Sequence, residues 1–247
     1  MVKLGENDLS ELLQNNVNLR LSEPHIYTVY QNTEVANSYD TGFGNIYDWV
    51  ACNPLYNRFI WGYSIAKFAS FDYEALTSSN KGYVLDLGCG SLAFTAQTYI
   101  QYSDRPVVLI DQSLKMLKIA KSRLIQINGK VPDNMVFINA DALQLPFKPN
   151  SFNTIISLNL LHCLDDINKL MIGLKNVLST DGKMYFSTLV KGNRVGDRYL
   201  KALGNAGKLV PRNIDQLRAV LDEPQRSIRY DLIGNMAFIY YEENETS

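Results

Sequence analysis

Three carboxylates follow short apolar runs at comparable places: Asp86 in VLDLGCGSLAFT, Asp111 in VVLIDQS and Asp141 in ADALQLPF. A single acid at a strand end is usually a cap or a surface charge, but recurrence after successive strands points to a ligand. The first acid precedes Gly88-Cys89-Gly90, and glycine lets a backbone approach a ligand where a Cβ would block it. Such a turn at the carboxyl end of a strand lies where open α/β sheets bind their ligands. Gly88 to Ala93 also satisfies G-x-G-x-x-G/A, which leaves a dinucleotide, and with it a nicotinamide-dependent oxidoreductase, as an alternative. Asp86 argues against it, since a carboxylate two residues before the first glycine repels a pyrophosphate. An acid there suits a cationic ligand.

A ligand with an ammonium, a sulfonium, a ribose diol and an adenine but no phosphate meets these demands, and S-adenosylmethionine is such a ligand. Asp86 is expected to face its cationic amino-acid end. Asp111 is placed to accept both ribose hydroxyls, the task of the acid after the second strand in dinucleotide folds. Asp141 is available to the adenine amine, with the Ala142 backbone beside it. Cys89 is read as chosen for size, because a free cysteine behaves as a small hydrophobe unless its pKa is lowered. His162, in LLHCL, is either a group near the acceptor that takes or orients a proton, or a packed, hydrogen-bonded histidine. No catalytic residue is assigned.

The elements that must hold these residues are legible from periodicity. From about Gly82 onward short apolar runs (YVLDL, PVVLI, MVFIN, TIISL, KMYFSTLV) alternate with helix-period segments, the pattern of a mostly parallel sheet covered by helices on both faces. SLKMLKIAKSRL puts Leu114, Leu117, Ala120 and Leu124 on one face, with lysines around the other as a solvated surface. The segment after Asp165 has Ile167, Leu170, Met171, Leu174, Val177 and Leu178 at helical spacing. It is expected to stop at STDG, with Asp181-Gly182 turning into the next strand. Gly234-Asn235 separates two strand-like runs as in a hairpin. The first eighty residues differ, with tyrosines and Trp49 and Trp61 spread through polar, Asn-rich sequence. They are read as a helical cap over residues 1–80, ahead of a ligand-binding domain over 81–247. Tyr39, in SYDTGFG, is the residue expected to reach a bound acceptor from that cap.

Composition sets limits. The 247 residues, 46% of them hydrophobic, can fill the core of one enzyme-sized unit. A net charge of −1 supplies no global field toward nucleic acid or an acidic bilayer. Cys52, Cys89 and Cys163 are odd in number and lack ligand spacing, which argues against a disulfide framework and against a zinc site. No signal-peptide core and no run of membrane-spanning length occurs, so a cytoplasmic protein without membrane insertion is expected.

With these motifs in hand, the chain resembles the class I S-adenosylmethionine-dependent methyltransferases, in the small-molecule branch that includes the ubiquinone/menaquinone methyltransferases. VLDLGCGSLAFT, VVLIDQSLKMLKIAKSRL, INADALQLPF, FNTIISLNLLHCLDD and LKNVLSTDGKMYFSTL stand in family order across roughly residues 80 to 190. The resemblance implies a doubly wound, seven-stranded sheet with the last strand antiparallel. It implies that Asp86, Gly88, Cys89 and Gly90 hold the methionine end and Asp111 the ribose. Gln112, Met116, Asp141 and Ala142 then surround the adenine, and backbone at Leu158 and Asn159 faces the ammonium. It implies methyl transfer to a small organic acceptor, with a non-catalytic protein of the same fold as a further alternative. Two positions depart from the pattern: the common third glycine is Leu92, and Asn153 stands where the fourth strand usually carries Asp.

Overall fold

The computed structural model describes residues 3–30, 57–78, 81–192, 194–223 and 226–243. Its strands are β1 (Arg20–Glu23), β2 (Ile26–Thr28), β3 (Tyr83–Leu87), β4 (Val107–Asp111), β5 (Met135–Asn139), β6 (Phe152–Leu158), β7 (Leu178–Leu189), β8 (Arg226–Ile233) and β9 (Met236–Glu243). They form one sheet in the order β1-β2-β5-β4-β3-β6-β7-β9-β8. The pairs from β2 to β7 are parallel, while β1 on β2, β9 on β7 and β8 on β9 are antiparallel. Chain order reverses between β3 and β6, so a crevice opens at their carboxyl ends, the place where such sheets take ligands.

Helices cover both faces, as the alternating pattern requires. One core layer packs α1 (Glu6–Leu12), α5 (Ile167–Val177) and α7 (Ile214–Leu221) on Leu85, Leu87, Ile110 and Ile155. The other packs α2 (Ala66–Thr77), α3 (Ala96–Tyr102), α4 (Leu114–Asn128) and α6 (Arg194–Asn205) on Val84, Leu109, Phe137 and Ile156. Helix ends follow local chemistry. The Ser113 side chain accepts from Met116 N at 3.3 Å to start α4, and Gly129, at φ 78°, ends it. Asp166 caps α5 by accepting from Lys169 N at 2.9 Å. The C-terminal hairpin turns at Gly234-Asn235 as its sequence predicts.

The structure departs from the sequence reading in two places. The expected seven strands are those from β3 to β9, but β1 and β2 add two more at the β5 edge. The cap expected over residues 1–80 is therefore corrected for residues 3–30. They extend the sheet and pack beneath it, Gln14 Nε2 donating to Phe147 O at 2.9 Å and Lys148 N to Leu12 O at 2.8 Å. Second, Asp181-Gly182 is no turn before a strand. β7 starts at Leu178, directly after α5, and its partners on β6 jump from Phe152↔Leu178 to Thr154↔Lys183, so the pair of residues lies in an irregular stretch of one strand. The bend absorbs extra residues without ending the element. Trp61 and Tyr63, read as part of an aromatic cap, are 5% exposed and belong to the second core layer. Trp61 also meets Tyr199 edge-on at 5.3 Å between ring centroids.

Candidate functional site

The β3 turn is strained in a way that explains its composition. Gly88, Gly90 and Leu92 have φ of 68°, 54° and 54°. A Cβ on Gly88 would lie 3.1 Å from the Leu160 side chain, whereas one on Gly90 would meet nothing within 4 Å. Gly88 thus seats the turn against the β6 end, and Gly90 faces open space. Leu92 takes the left-handed conformation for which the resembling family uses glycine, a cost of order 1–2 kcal/mol for a residue with a Cβ. Its side chain is 1% exposed in the second core layer, and that burial offsets the strain. Arg123 grips the same turn through the Ser91 carbonyl and, at 3.0 Å, the Ser91 hydroxyl.

Asp111 ends β4 beside this turn. Its Oδ2 accepts from Gly90 N at 2.9 Å and its Oδ1 from Ser113 N at 2.8 Å. The acid expected at the ribose is thereby locked to the glycine turn and to the start of α4. Asn139, opposite Asp111 in the sheet register, donates to the carbonyls of Asp111 (3.1 Å) and Gln112 (2.8 Å). Asp141, two residues beyond, accepts from Leu143 N at 2.9 Å, and Ala142 next to it is half-buried. Gln112 is exposed and Met116 is 5% exposed, so of the two adenine-edge candidates one is open and one packed. Leu158 and Asn159 stand at the β6 end. Asn159 has φ 61°, and its N donates to Ser187 O at 2.8 Å.

Asp86 lies beneath the turn. It is 2% exposed, and its Oδ2 accepts the Tyr99 hydroxyl at 2.9 Å. Burial raises its pKa to about 7, with the Tyr99 bond opposing and Asp111 adding to the rise. Asp72, from α2, is fully buried nearby, and neither carboxylate oxygen has a hydrogen-bond partner among the described residues. Burial and then Asp86 hold it well above the usual carboxylate range. Tyr99 and Asp72 carry no motif, which is why the sequence reading missed them. Asp86, the residue expected to face a cation, is thus a buried carboxyl paired with Tyr99. The Cys89 thiol is pushed up by burial, then by Asp86 and Asp111, as suits a small spacer and not a nucleophile.

His162 sits in the short 3₁₀ turn Leu161–Cys163 and is 4% exposed. Its Nδ1 accepts from Leu189 N at 3.2 Å and lies 3.1 Å from Thr188 Oγ1. Burial, then Arg212, lowers its pKa to about 4. A neutral ring whose Nδ1 accepts a backbone N–H carries its proton on Nε2, so neither nitrogen is free to take one. The ring is packed and hydrogen-bonded through Nδ1, which disfavours its taking a proton from an acceptor. Tyr39 lies outside the described residues. Among those described, no group of three His, Cys, Asp or Glu side chains could hold a metal ion, and no helix is long and apolar enough to cross a membrane.

Comparison with known proteins decides which ligand such a turn serves. The family profile described as a methyltransferase domain matches residues 78–220. The chain belongs to this family. Its matched segment contains the glycine turn and all three strand-end acids, and members of its class I branch take their methyl group from S-adenosylmethionine. Malonyl-[acyl-carrier protein] O-methyltransferase of Legionella pneumophila is 26% identical over 106 residues, 43% of this chain and 36% of that protein. The chain thus matches about a third of that relative's length. The structure of magnesium protoporphyrin IX methyltransferase from Synechocystis PCC 6803 with bound S-adenosylhomocysteine has a TM-score of 0.63 at 18% identity, covering 83% of this chain and 96% of that one. The [4+2]-cyclase SpnF gives a TM-score of 0.62 at 16% identity, covering 81% and 95%. The two structures share the fold.

The residues present fit the donor. Gly90 leaves a place that a Cβ would fill, Asp111 stands at its edge, and the buried Asp86 carboxyl lies below. A cation is the charge this arrangement favours.

Proposed function

We propose that this protein transfers a methyl group from S-adenosylmethionine to a small organic acceptor by direct displacement. The observation that supports it most is Gly90, open on its Cβ side and hydrogen-bonded to the Asp111 carboxylate within the methyltransferase-domain segment. When bound, the donor supplies a methyl group made electrophilic by its sulfonium. The carbon–sulfur bond breaks as the bond to the acceptor forms, S-adenosylhomocysteine leaves, and the acceptor's proton passes to solvent. What the chain contributes is position: the glycine turn and Asp111 orient the donor, and alignment of two bound reactants is worth about 7–11 kcal/mol at its best. His162 is not assigned as a base, because its Nδ1 is occupied and its ring is held neutral. An acceptor screen starts with phenols, quinone precursors and amines, whose own acidity or nucleophilicity would make a protein base unnecessary. An acyl-carrier-protein-bound acid, by analogy with the Legionella relative, and a magnesium porphyrin, by analogy with the Synechocystis enzyme, join the same screen.

Calorimetric titration with S-adenosylhomocysteine, with NADH as control ligand, tests the donor. Mass-spectrometric screening for a gain of one methyl group then tests transfer. Binding of S-adenosylhomocysteine alone supports the reading. Binding of NADH alone returns the dinucleotide alternative, and donor binding without turnover on any acceptor favours a non-catalytic protein of this fold.

A further inference from the structure

The family match starts at residue 78, yet β2 brings a residue from far upstream to the same sheet edge as Asp111 and Asp141. β2 runs parallel to β5 with Thr28 opposite Asn139, and Asn139 is in turn opposite Asp111 on β4. Thr28 Oγ1 donates to Asn139 Oδ1 at 3.3 Å, so the two side chains share a face. Tyr30 is two residues beyond Thr28, as Asp141 is two beyond Asn139, and at these carboxyl ends the Tyr30 hydroxyl lies close enough to feel the charges of Asp141 and Asp111. The Tyr30 backbone is fixed at both ends: its N donates to Thr28 Oγ1 at 3.2 Å, and Arg20 donates to its carbonyl. Its hydroxyl is buried and finds no hydrogen-bond partner among the described residues. Burial, then the Asp141 and Asp111 carboxylates, push its pKa up to about 12, so the phenol keeps its proton at neutral pH.

A buried phenol that makes no hydrogen bond forfeits the pairing its hydroxyl has with water in the unfolded chain. Beside the two acids that edge the donor site, the hydroxyl finds no partner among the described residues, and a bound ligand would supply one. From the shared face and the orphaned hydroxyl, we propose that Tyr30 is a wall of the donor site and hydrogen-bonds the nucleoside half of S-adenosylmethionine. The edge hairpin thereby completes a site whose other parts come from the matched domain. This inference rests on the donor reading above, and it goes beyond it in placing a specificity-determining residue outside the methyltransferase-domain segment.

The test is a titration of the full chain and of Tyr30→Phe with S-adenosylhomocysteine and with 5′-methylthioadenosine, which keeps the nucleoside and lacks the amino-acid end. Tyr30→Phe is expected to weaken both ligands by a similar factor, about 5- to 10-fold for one hydrogen bond. The melting temperature of the ligand-free variant should equal or exceed that of the wild type, because an unpaired buried hydroxyl has been removed. A merely structural tyrosine would lower it. If the wild type binds S-adenosylhomocysteine and Tyr30→Phe binds both ligands equally well, the inference is overturned while the donor reading stands. If the wild type binds neither, both fail.

Discussion

Two buried groups tilt the stability of this protein in opposite directions with pH, and separating them tests the electrostatics of the site. The Asp86 pKa is about 7 in the folded chain, against about 3.9 in an unfolded one. A carboxyl raised on folding binds its proton more tightly in the native state. Its contribution is therefore full below pH 4 and is lost as pH rises through 7. Three pH units at about 1.36 kcal/mol each make roughly 4 kcal/mol. The pKa of His162 is about 4, against about 6.5 unfolded. Its contribution is present above pH 6.5 and is lost as pH falls through 4, roughly 3 kcal/mol by the same arithmetic. Between pH 5 and 7 the two oppose each other, with Asp72 acting on the side of Asp86.

Replacing one member exposes the other. Asp86→Asn keeps an oxygen for the Tyr99 hydroxyl and removes the titration, so its stability should rise with pH relative to the wild type, by about 2–3 kcal/mol between pH 5 and 7. His162→Gln should tilt the opposite way by about 2 kcal/mol over the same interval. Urea midpoints at half-unit pH steps read both slopes, and the two variants should diverge by about 4–5 kcal/mol across the interval. Parallel profiles for wild type and both variants would refute the claim that these groups are buried and shifted as described.

Three further outcomes are expected. Because a cation above Asp86 favours its charged form, S-adenosylhomocysteine binding near pH 6.5 should release a fraction of a proton, seen as a dependence of calorimetric enthalpy on the ionisation enthalpy of the buffer. Asp86→Asn should abolish that dependence. Gly90→Ala meets no atom within 4 Å but forces a Cβ onto φ 54°, so it should cost only about 1 kcal/mol of stability and weaken S-adenosylhomocysteine at least 10-fold by filling the open place. Asn235, fully buried at the hairpin turn, donates through Nδ2 to Val190 O at 2.8 Å and Asp197 Oδ1 at 2.9 Å, and its N donates to Trp61 O at 2.7 Å. Asn235→Ala removes the side-chain donor to the Val190 carbonyl and leaves Asp197 Oδ1 with Gly192 N alone, and it should lower the unfolding free energy by about 1–3 kcal/mol in urea titration.

What the sequence made legible, and what it hid, follows from the range of the interactions. β3 through β6 and the two strands of the hairpin declare themselves in local apolar runs, and Gly88 and Gly90 reveal a turn because only a backbone constraint calls for glycine there. The caps at Ser113 and Asp166 are equally local. Asp111 is placed by its position after a strand, a rule of topology that needs no knowledge of its partners. By contrast, Asp86 reads as a ligand contact, since nothing in VLDLG tells that Tyr99 and Asp72 converge beneath it from α3 and α2. His162 leaves two readings open until Leu189 N is seen against its ring. Tyr30 is hidden for a related reason. IYTVY has the β-branched and aromatic alternation of a strand, but its pairing with β5 spans more than a hundred residues, and no local pattern says which edge a short strand joins. Turn and acids come from one continuous domain, whereas Tyr30 is carried by a hairpin at the sheet's edge, tied to that domain by the β2–β5 pairing, by the buried Ile26 and by the Glu23 ion pairs with Lys118 and Lys121.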